Sequence, residues 1–218
     1  MIIFLILAAA VLATAYFVLG QAKFGKAPSG KRLERILKSP HYKNGKFNNL
    51  NPTPQLAEDT SMPEIMFRFL FGKTPDKRPA QEFHFQKTDL KKLDPSQNAY
   101  VWMGHSSYFM QIDGKKILVD PVLSGYASPF SFTGKTFRGT DLYKPEDIPE
   151  LDYLIITHDH WDHLDYKTVL KLFPKTKKII TGLGTAEHLE YWGYNPKNIV
   201  ELDWFENSDL GEGFKVTA

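Results

Sequence analysis

The segment "LDYLIITHDHWDHLD", residues 151 to 165, constrains this chain more than any other. Its start is short, apolar and rich in Leu and Ile, which reads as a buried strand. That strand runs directly into three histidines and three aspartates within nine positions, in a chain with seven histidines in all. His158 and His160 stand two apart on a still-extended backbone, where alternate side chains share a side, so two imidazoles can converge on one ion. Past a tight bend, Asp162 and His163 offer a carboxylate and an imidazole to a second ion, and the segment reads as half of a two-metal site.

Composition narrows the chemistry. There is no cysteine, so disulfides, thiolate metal sites and a cysteine nucleophile are excluded. Any metal must be held by His and carboxylate, which makes Zn the first expectation, with Mn or Fe as the other candidates. Neither H-E-x-x-H nor G-x-S-x-G occurs, which leaves zincin-type proteases and serine hydrolases without support. A net charge of +2 over 218 residues gives no argument for nucleic acid.

Around the cluster, the pattern is that of an α/β protein. "AYVWM", "YFMQI" and "KKILVDP" read as strands, the last two joined by Asp113-Gly114, a two-residue hairpin signal. Asp165 can cap a helix through Val169, Leu170 and Phe173 that Pro174 ends, and "KKIIT", a helix over about 185 to 192, "NIVEL" and "FKVTA" continue the alternation. The domain is expected over residues 96–218. Residues 21–95 read as an extended arm, broken by Pro52, Pro54, Pro63, Pro75 and Pro79, with one short helix near 62 to 71. The apolar face of that helix, Ile65, Met66, Phe69 and Leu70, suits packing on the main domain, the commoner fate of such a face, or a membrane surface.

Residues 1–20, "MIIFLILAAAVLATAYFVLG", carry no charge and are long enough for one transmembrane helix. A cleaved signal peptide is the alternative, but no Lys or Arg precedes the apolar run as a signal peptide requires. Between residues 21 and 50 stand Lys23, Lys26, Lys31, Arg32, Arg35, Lys38, Lys43 and Lys46 against a single acid, Glu34. By the positive-inside rule this flank stays cytoplasmic, which predicts a single-pass protein of the cell membrane with its body facing the cytoplasm. The flank reads as a solvated tether that also attracts anionic lipid headgroups.

"HDHWDH" after an apolar strand, preceded by "ILVDP" after a hairpin, resembles the metallo-β-lactamase superfamily. The longer run "VWMGHSSYFMQIDGKKILVDPVLSGYASPFSF" followed by "DIPELDYLIITHDHWDHLD" resembles its branch of N-acyl-phosphatidylethanolamine-hydrolysing phospholipases D. The resemblance implies the N-terminal half of an αββα sandwich and a zinc-dependent hydrolase in which a metal-bridging hydroxide attacks a phosphodiester, with a phospholipid-like substrate and a lipid membrane as partners. It implies His158 and His160 on a first metal, Asp162 and His163 on a second, and Asp162 orienting the attacking water. It also implies Asp120 supporting the site from behind, where a carboxylate at a strand end can accept an imidazole N–H. His105 in "GHSS" falls in a loop that the family places near the site.

The same resemblance implies further ligands from a second half, after Ala218. It therefore predicts weak metal binding by this chain alone and a separately encoded second half as a partner. The other readings are a non-catalytic split product or membrane-tethered interaction piece, and a nuclease or lactonase of the same fold. His41, His84 and His188 are not expected to replace the missing ligands, His188 because the family places its helix away from the site.

Overall fold

In the computed structural model, which describes residues 1–54, 56–72 and 78–218, the uncharged N-terminal run forms one helix, α1 (Ile2–Leu19). It is long and apolar enough to cross a membrane, and none of its side chains is buried against the rest of the chain. The arm that follows is not extended throughout. A 3-10 turn (Ala22–Phe24) leads into α2 (Gly30–Lys38), a small hairpin of β1 (Tyr42–Lys43) and β2 (Lys46–Phe47), and then α3 (Met62–Phe71). α3 forms where the sequence predicts a helix: Ser61 caps it by accepting from the Glu64 N–H, and Pro63 stands in its first turn. Pro75 lies outside the described residues.

Six strands make the central sheet, in the spatial order β3 (Ala99–Gly104), β4 (Ser107–Ile112), β5 (Lys115–Val119), β6 (Leu151–Ile156), β7 (Thr176–Gly182) and β8 (Ile199–Leu202). β3, β4 and β5 pair antiparallel, while β5 to β8 pair parallel. Asp113 and Gly114 both adopt positive φ, 47° and 76°, as the tight β4–β5 turn demands. The parallel pairs need crossovers, and α4 (Tyr166–Leu172) and α5 (Ala186–Tyr191) supply those leading to β7 and β8.

Alternation along the strands then divides the core. Leu118, Leu154, Ile156 and Ile179 face the helices and pack with Val169, Leu172 and Leu189. Ile117, Val119, Tyr153 and Ile180 face the other way. The reading of half a sandwich predicts that this second face is bare, and in part it is: Tyr108, Met110, Ile112, Ile155 and Val200 on it are only partly buried. A hairpin of β9 (Asn207–Gly211) and β10 (Phe214–Thr217) lies over the rest, with Leu210, Phe214 and Val216 against the sheet and the Tyr153 hydroxyl donating to the Leu210 carbonyl at 3.1 Å. Both faces of the sheet are engaged by these elements, and no residue of α3 is buried. Its face of Ile65, Met66, Phe69 and Leu70 is exposed, contrary to the expected packing on the domain.

The basic flank is likewise more than a tether. Arg32 donates from Nε to Glu201 at 3.0 Å and from Nη1 to Glu187 at 2.5 Å, and it pairs with Glu190 as well. Lys26 reaches Glu187 at 3.2 Å, while Arg35 pairs with Glu206 and donates to the Glu201 carbonyl at 3.0 Å. The acidic partners come from α5, β8 and the segment after it. Counting charge along the chain cannot find them, because Arg32 and Glu187 stand 155 residues apart. Burial disfavours ionised Glu187, but Arg32, Lys26 and Ser29 outweigh it and hold its carboxyl below the usual glutamate range.

Replacing Arg32 by Met would leave Glu187, whose side chain is 8% exposed, without its principal counter-charge. The expected loss is about 3 kcal/mol in chemical denaturation at pH 7. Because the folded-state pKa of Glu187 is depressed, this contribution is complete above about pH 4.3 and disappears as pH falls through the lower folded value. The difference between wild type and Arg32→Met should therefore shrink in acid, and a difference that stays constant from pH 7 to 3 would contradict the assignment.

Candidate metal centre

The carboxyl ends of β5 and β6 carry the site, as expected where parallel strands end beside one another. Asp120 follows β5 directly. It is 2% exposed and has a φ of 43°, and its N–H donates to the Ile155 carbonyl at 3.0 Å, extending the β5–β6 pairing by one residue. Its carboxylate is turned toward the end of β6. Oδ1 accepts the Thr157 N–H at 2.8 Å, and Oδ2 accepts the Thr157 hydroxyl at 2.7 Å and His163 Nδ1 at 2.8 Å.

These bonds settle which ring nitrogens remain free. A carboxylate only accepts, so His163 donates from Nδ1 and presents the Nε2 lone pair outward. Thr157 Oγ1 gives its proton to Asp120 and so accepts from His158 Nδ1 at 3.0 Å, leaving Nε2 of His158 free. Thr157 is the residue that sequence reading missed. Its only signal is a hydroxyl at the strand end directly before His158.

Asp162 lies between two imidazoles, 2.9 Å from His105 Nε2 and 3.7 Å from His163 Nε2. His105, Asp162 and His163 each bring a ligand atom to within 4.8 Å of the others. Gly104, with a φ of 107°, and His105, with a φ of 44°, form the left-handed turn between β3 and β4 that carries the His105 ring there. His158 stacks close to this group, its ring centroid 3.9 Å from that of His163 and 4.6 Å from that of His160.

Three imidazoles in contact would repel one another if protonated. Burial and then His163 and His160 push the His158 pKa below the ordinary histidine value, outweighing the attraction of Asp120 and Asp162. Asp162 is shifted down too: burial opposes the shift, but a backbone hydrogen bond and the His105 and His163 rings prevail. The result is an ionised Asp162 carboxylate beside the outward-facing Nε2 atoms of His158 and His163, a donor set that fits a divalent cation, while His105 donates from Nε2 to Asp162 and holds it in place. The 3.7 Å between His163 Nε2 and Asp162 Oδ2 suits two ligands that share an ion with bonds of about 2 Å.

The remaining histidines lie elsewhere. His41 packs edge-on against Trp204 and Phe205, and His84 is exposed. His188 departs from expectation. Its Nδ1 accepts the Lys26 N–H at 3.0 Å, its Nε2 is 3.7 Å from Asp159 within the cluster segment, and it lines a cleft of about 840 Å³ together with His158. Asp159 thus turns away from the ligand group, and His188 holds its carboxyl below the usual range.

Residues 115–218 match the family described as "Beta-lactamase superfamily domain". An uncharacterized protein of Mycobacterium tuberculosis is 33% identical over 175 residues, covering 80% of this chain and 47% of that protein. N-acyl-phosphatidylethanolamine-hydrolyzing phospholipase D 1 of Caenorhabditis elegans is 35% identical over 122 residues, 53% of this chain and 34% of its own length. A metal-dependent hydrolase of Ligilactobacillus salivarius is 40% identical over 109 residues, 47% of this chain and 43% of its own. Among solved structures, CmlA, a diiron β-hydroxylase from Streptomyces venezuelae, aligns at a TM-score of 0.41 and 28% identity, over 53% of this chain and 22% of its own. The chain spans at most about half the length of the curated relatives it matches here.

Two measurements probe the geometry. Asp120→Asn should weaken zinc binding about 10- to 100-fold in a competition titration against a chelator, as is usual for removing the carboxylate behind a ligand imidazole, whereas His41→Ala should leave it unchanged. In metal-free protein, the His158 ring should titrate below about pH 6.5 by NMR and move back toward that value in His163→Gln.

Proposed function

We propose that this chain, whose residues 115–218 match a β-lactamase superfamily domain, contributes ligands to a two-metal hydrolytic centre acting on a phospholipid-like phosphodiester at a membrane. The observation that carries this reading is the pair of contacts at His163, Asp120 on Nδ1 and Asp162 facing Nε2. His158 and His160 would hold one zinc ion, and Asp162 and His163 a second, with His105 donating from Nε2 to Asp162 and orienting that carboxylate. When bound, such metal supplies Lewis acidity and a water that ionises near pH 7.

The chain's own residues prepare the rest. Asp120 and Thr157 fix the tautomers of His163 and His158 before any ligand arrives, so little reorganisation accompanies binding. Asp162 is ionised and half-exposed, placed to accept a proton from a water at the centre and to orient it. The cleft beside His158 is walled mainly by apolar side chains, including Leu33, Ile36, Phe47, Leu202 and Trp204. Such a wall suits acyl chains better than a polyanion. α1 supports placement in a membrane, and the relationship to a phospholipid-hydrolysing enzyme of Caenorhabditis elegans supports the bond class.

Metal counting by mass spectrometry on the purified 218-residue chain, with zinc, iron and manganese offered together, should recover zinc. Hydrolysis of N-acyl-phosphatidylethanolamine in mixed micelles, measured on the chain alone and with a second half from a relative added, should appear with metal and fall more than about 100-fold in His160→Ala. Hydrolysis of RNA or a lactone in preference to the lipid would replace the substrate, and no turnover in either assembly would leave the non-catalytic reading standing.

A further inference from the structure

The turn that follows α1 is bolted to the ligand segment. Trp161 stands between His160 and Asp162, and its ring meets that of Phe24 edge-on at 5.5 Å. Phe24 ends the 3-10 turn directly after α1. The same turn is tied to α5, where Trp192 Nε1 donates to the Ala22 carbonyl at 2.7 Å and His188 accepts the Lys26 N–H at 3.0 Å. Gly25 is needed for that approach: its φ is 70°, and a Cβ there would lie 1.9 Å from His188 Nδ1. No slack linker therefore separates the end of α1 from the body.

Against this turn lies the loop after Asp120. Phe130 meets Phe24 at 6.3 Å and stacks on Phe132 at 5.6 Å, and Lys23 places its ammonium over both Phe24 and Phe130, 5.5 and 4.7 Å from the ring centroids. Phe132 is 75% exposed and stacks on the partly exposed Phe130, so the pair presents an apolar surface beside the end of α1. Aromatic rings with a lysine at their rim, immediately beside the end of an apolar helix, match the chemistry of the headgroup region, where aromatic and cationic side chains concentrate.

We propose that the loop 128–132 is a second membrane contact, with Phe130 and Phe132 seated at the boundary between headgroups and acyl chains, so that the ligand segment carrying Trp161 is held at the bilayer surface. The proposal rests on the membrane placement of α1. It adds that the body docks on the bilayer instead of hanging from it. The occupant of this aromatic surface is lipid.

The absence of cysteine makes site-directed spin labelling unambiguous. The full chain, reconstituted in phosphatidylcholine vesicles containing anionic lipid, would carry one label at a time, on Val11→Cys, Phe132→Cys or Lys197→Cys. Val11 lies within α1, and Lys197 is exposed just before β8, at the end of the sheet opposite the ligand segment. Power saturation compares collisions with oxygen, which partitions into the bilayer, and with a water-soluble nickel chelate. The expected result is oxygen-dominated relaxation at positions 11 and 132 and nickel-dominated relaxation at 197. A label at 132 as open to nickel as that at 197, with 11 still in the bilayer, would overturn the second contact while leaving the anchor intact. Inaccessibility of 132 to both reagents would overturn it in favour of a protein partner. Nickel access at 11 would remove the anchor and the proposal together.

Discussion

The carboxylate of Asp120 is the point on which the candidate site depends. It closes the gap between the ends of β5 and β6, and in doing so it fixes the first residue after β6 and the last histidine of the cluster together. A buried carboxylate is costly unless fully hydrogen-bonded, and here three donors, two from Thr157 and one from His163, satisfy it. The residues around it share the burden. Ser107 donates to the Asp120 carbonyl at 2.7 Å and accepts the Val122 N–H at 3.0 Å, so the turn after β5 is held from both sides. Asp165, which caps α4, also accepts the Ser124 N–H at 2.9 Å and pins the same loop to the helix.

This arrangement links the fold to its chemistry. Strands that run parallel bring their carboxyl ends to one edge, where the chain must leave the sheet and polar groups can gather. The left-handed turn at Gly104 and His105 belongs to the antiparallel part of the sheet, yet it delivers His105 to Asp162 at the same edge. The second ionic assembly, around Arg32, acts at the neighbouring carboxyl ends of β7 and β8. There the Glu201 carboxylate accepts from Arg32 and from the Gly184 N–H at 2.8 Å, joining the basic segment to the body at the strand ends. The segment leading out of α1 is thus part of the domain's polar architecture, and the geometry of the site and the placement of the N-terminal helix are mechanically connected.

Much of the strand and helix pattern was legible because it is local. Asp113-Gly114, the cap at Asp165 and the alternation of β5, β6 and β7 each depend on a few consecutive residues. The candidate ligand segment was legible for the same reason, since His158, His160, Asp162 and His163 lie within one short run, although the group whose ligand atoms converge is Asp162 and His163 with His105. The arm was read less well. Its prolines and charges describe a solvated, extended chain, and α2 forms where it does because its basic residues meet Glu187, Glu190, Glu201 and Glu206 across the fold. The β9–β10 hairpin was half seen, because "FKVTA" has a strand pattern whereas "NSDLG" does not. Its pairing and the apolar sheet face beneath it make the second strand.

By itself the sequence determined that a buried strand must end in a dense group of imidazoles and carboxylates with no thiol available, which confines the chain to oxygen and nitrogen ligands. It also determined an uncharged N-terminal helix, since a run of apolar residues that long has few other stable forms. Only the tertiary structure decided which nitrogen of each ring is free, that Thr157 relays Asp120 to His158, that His105 belongs with Asp162, and that His188 and the basic flank meet beside the cluster. These are contacts between residues far apart in the chain. No local pattern encodes them, because their energy arises only when separate strands bring the partners within hydrogen-bond reach.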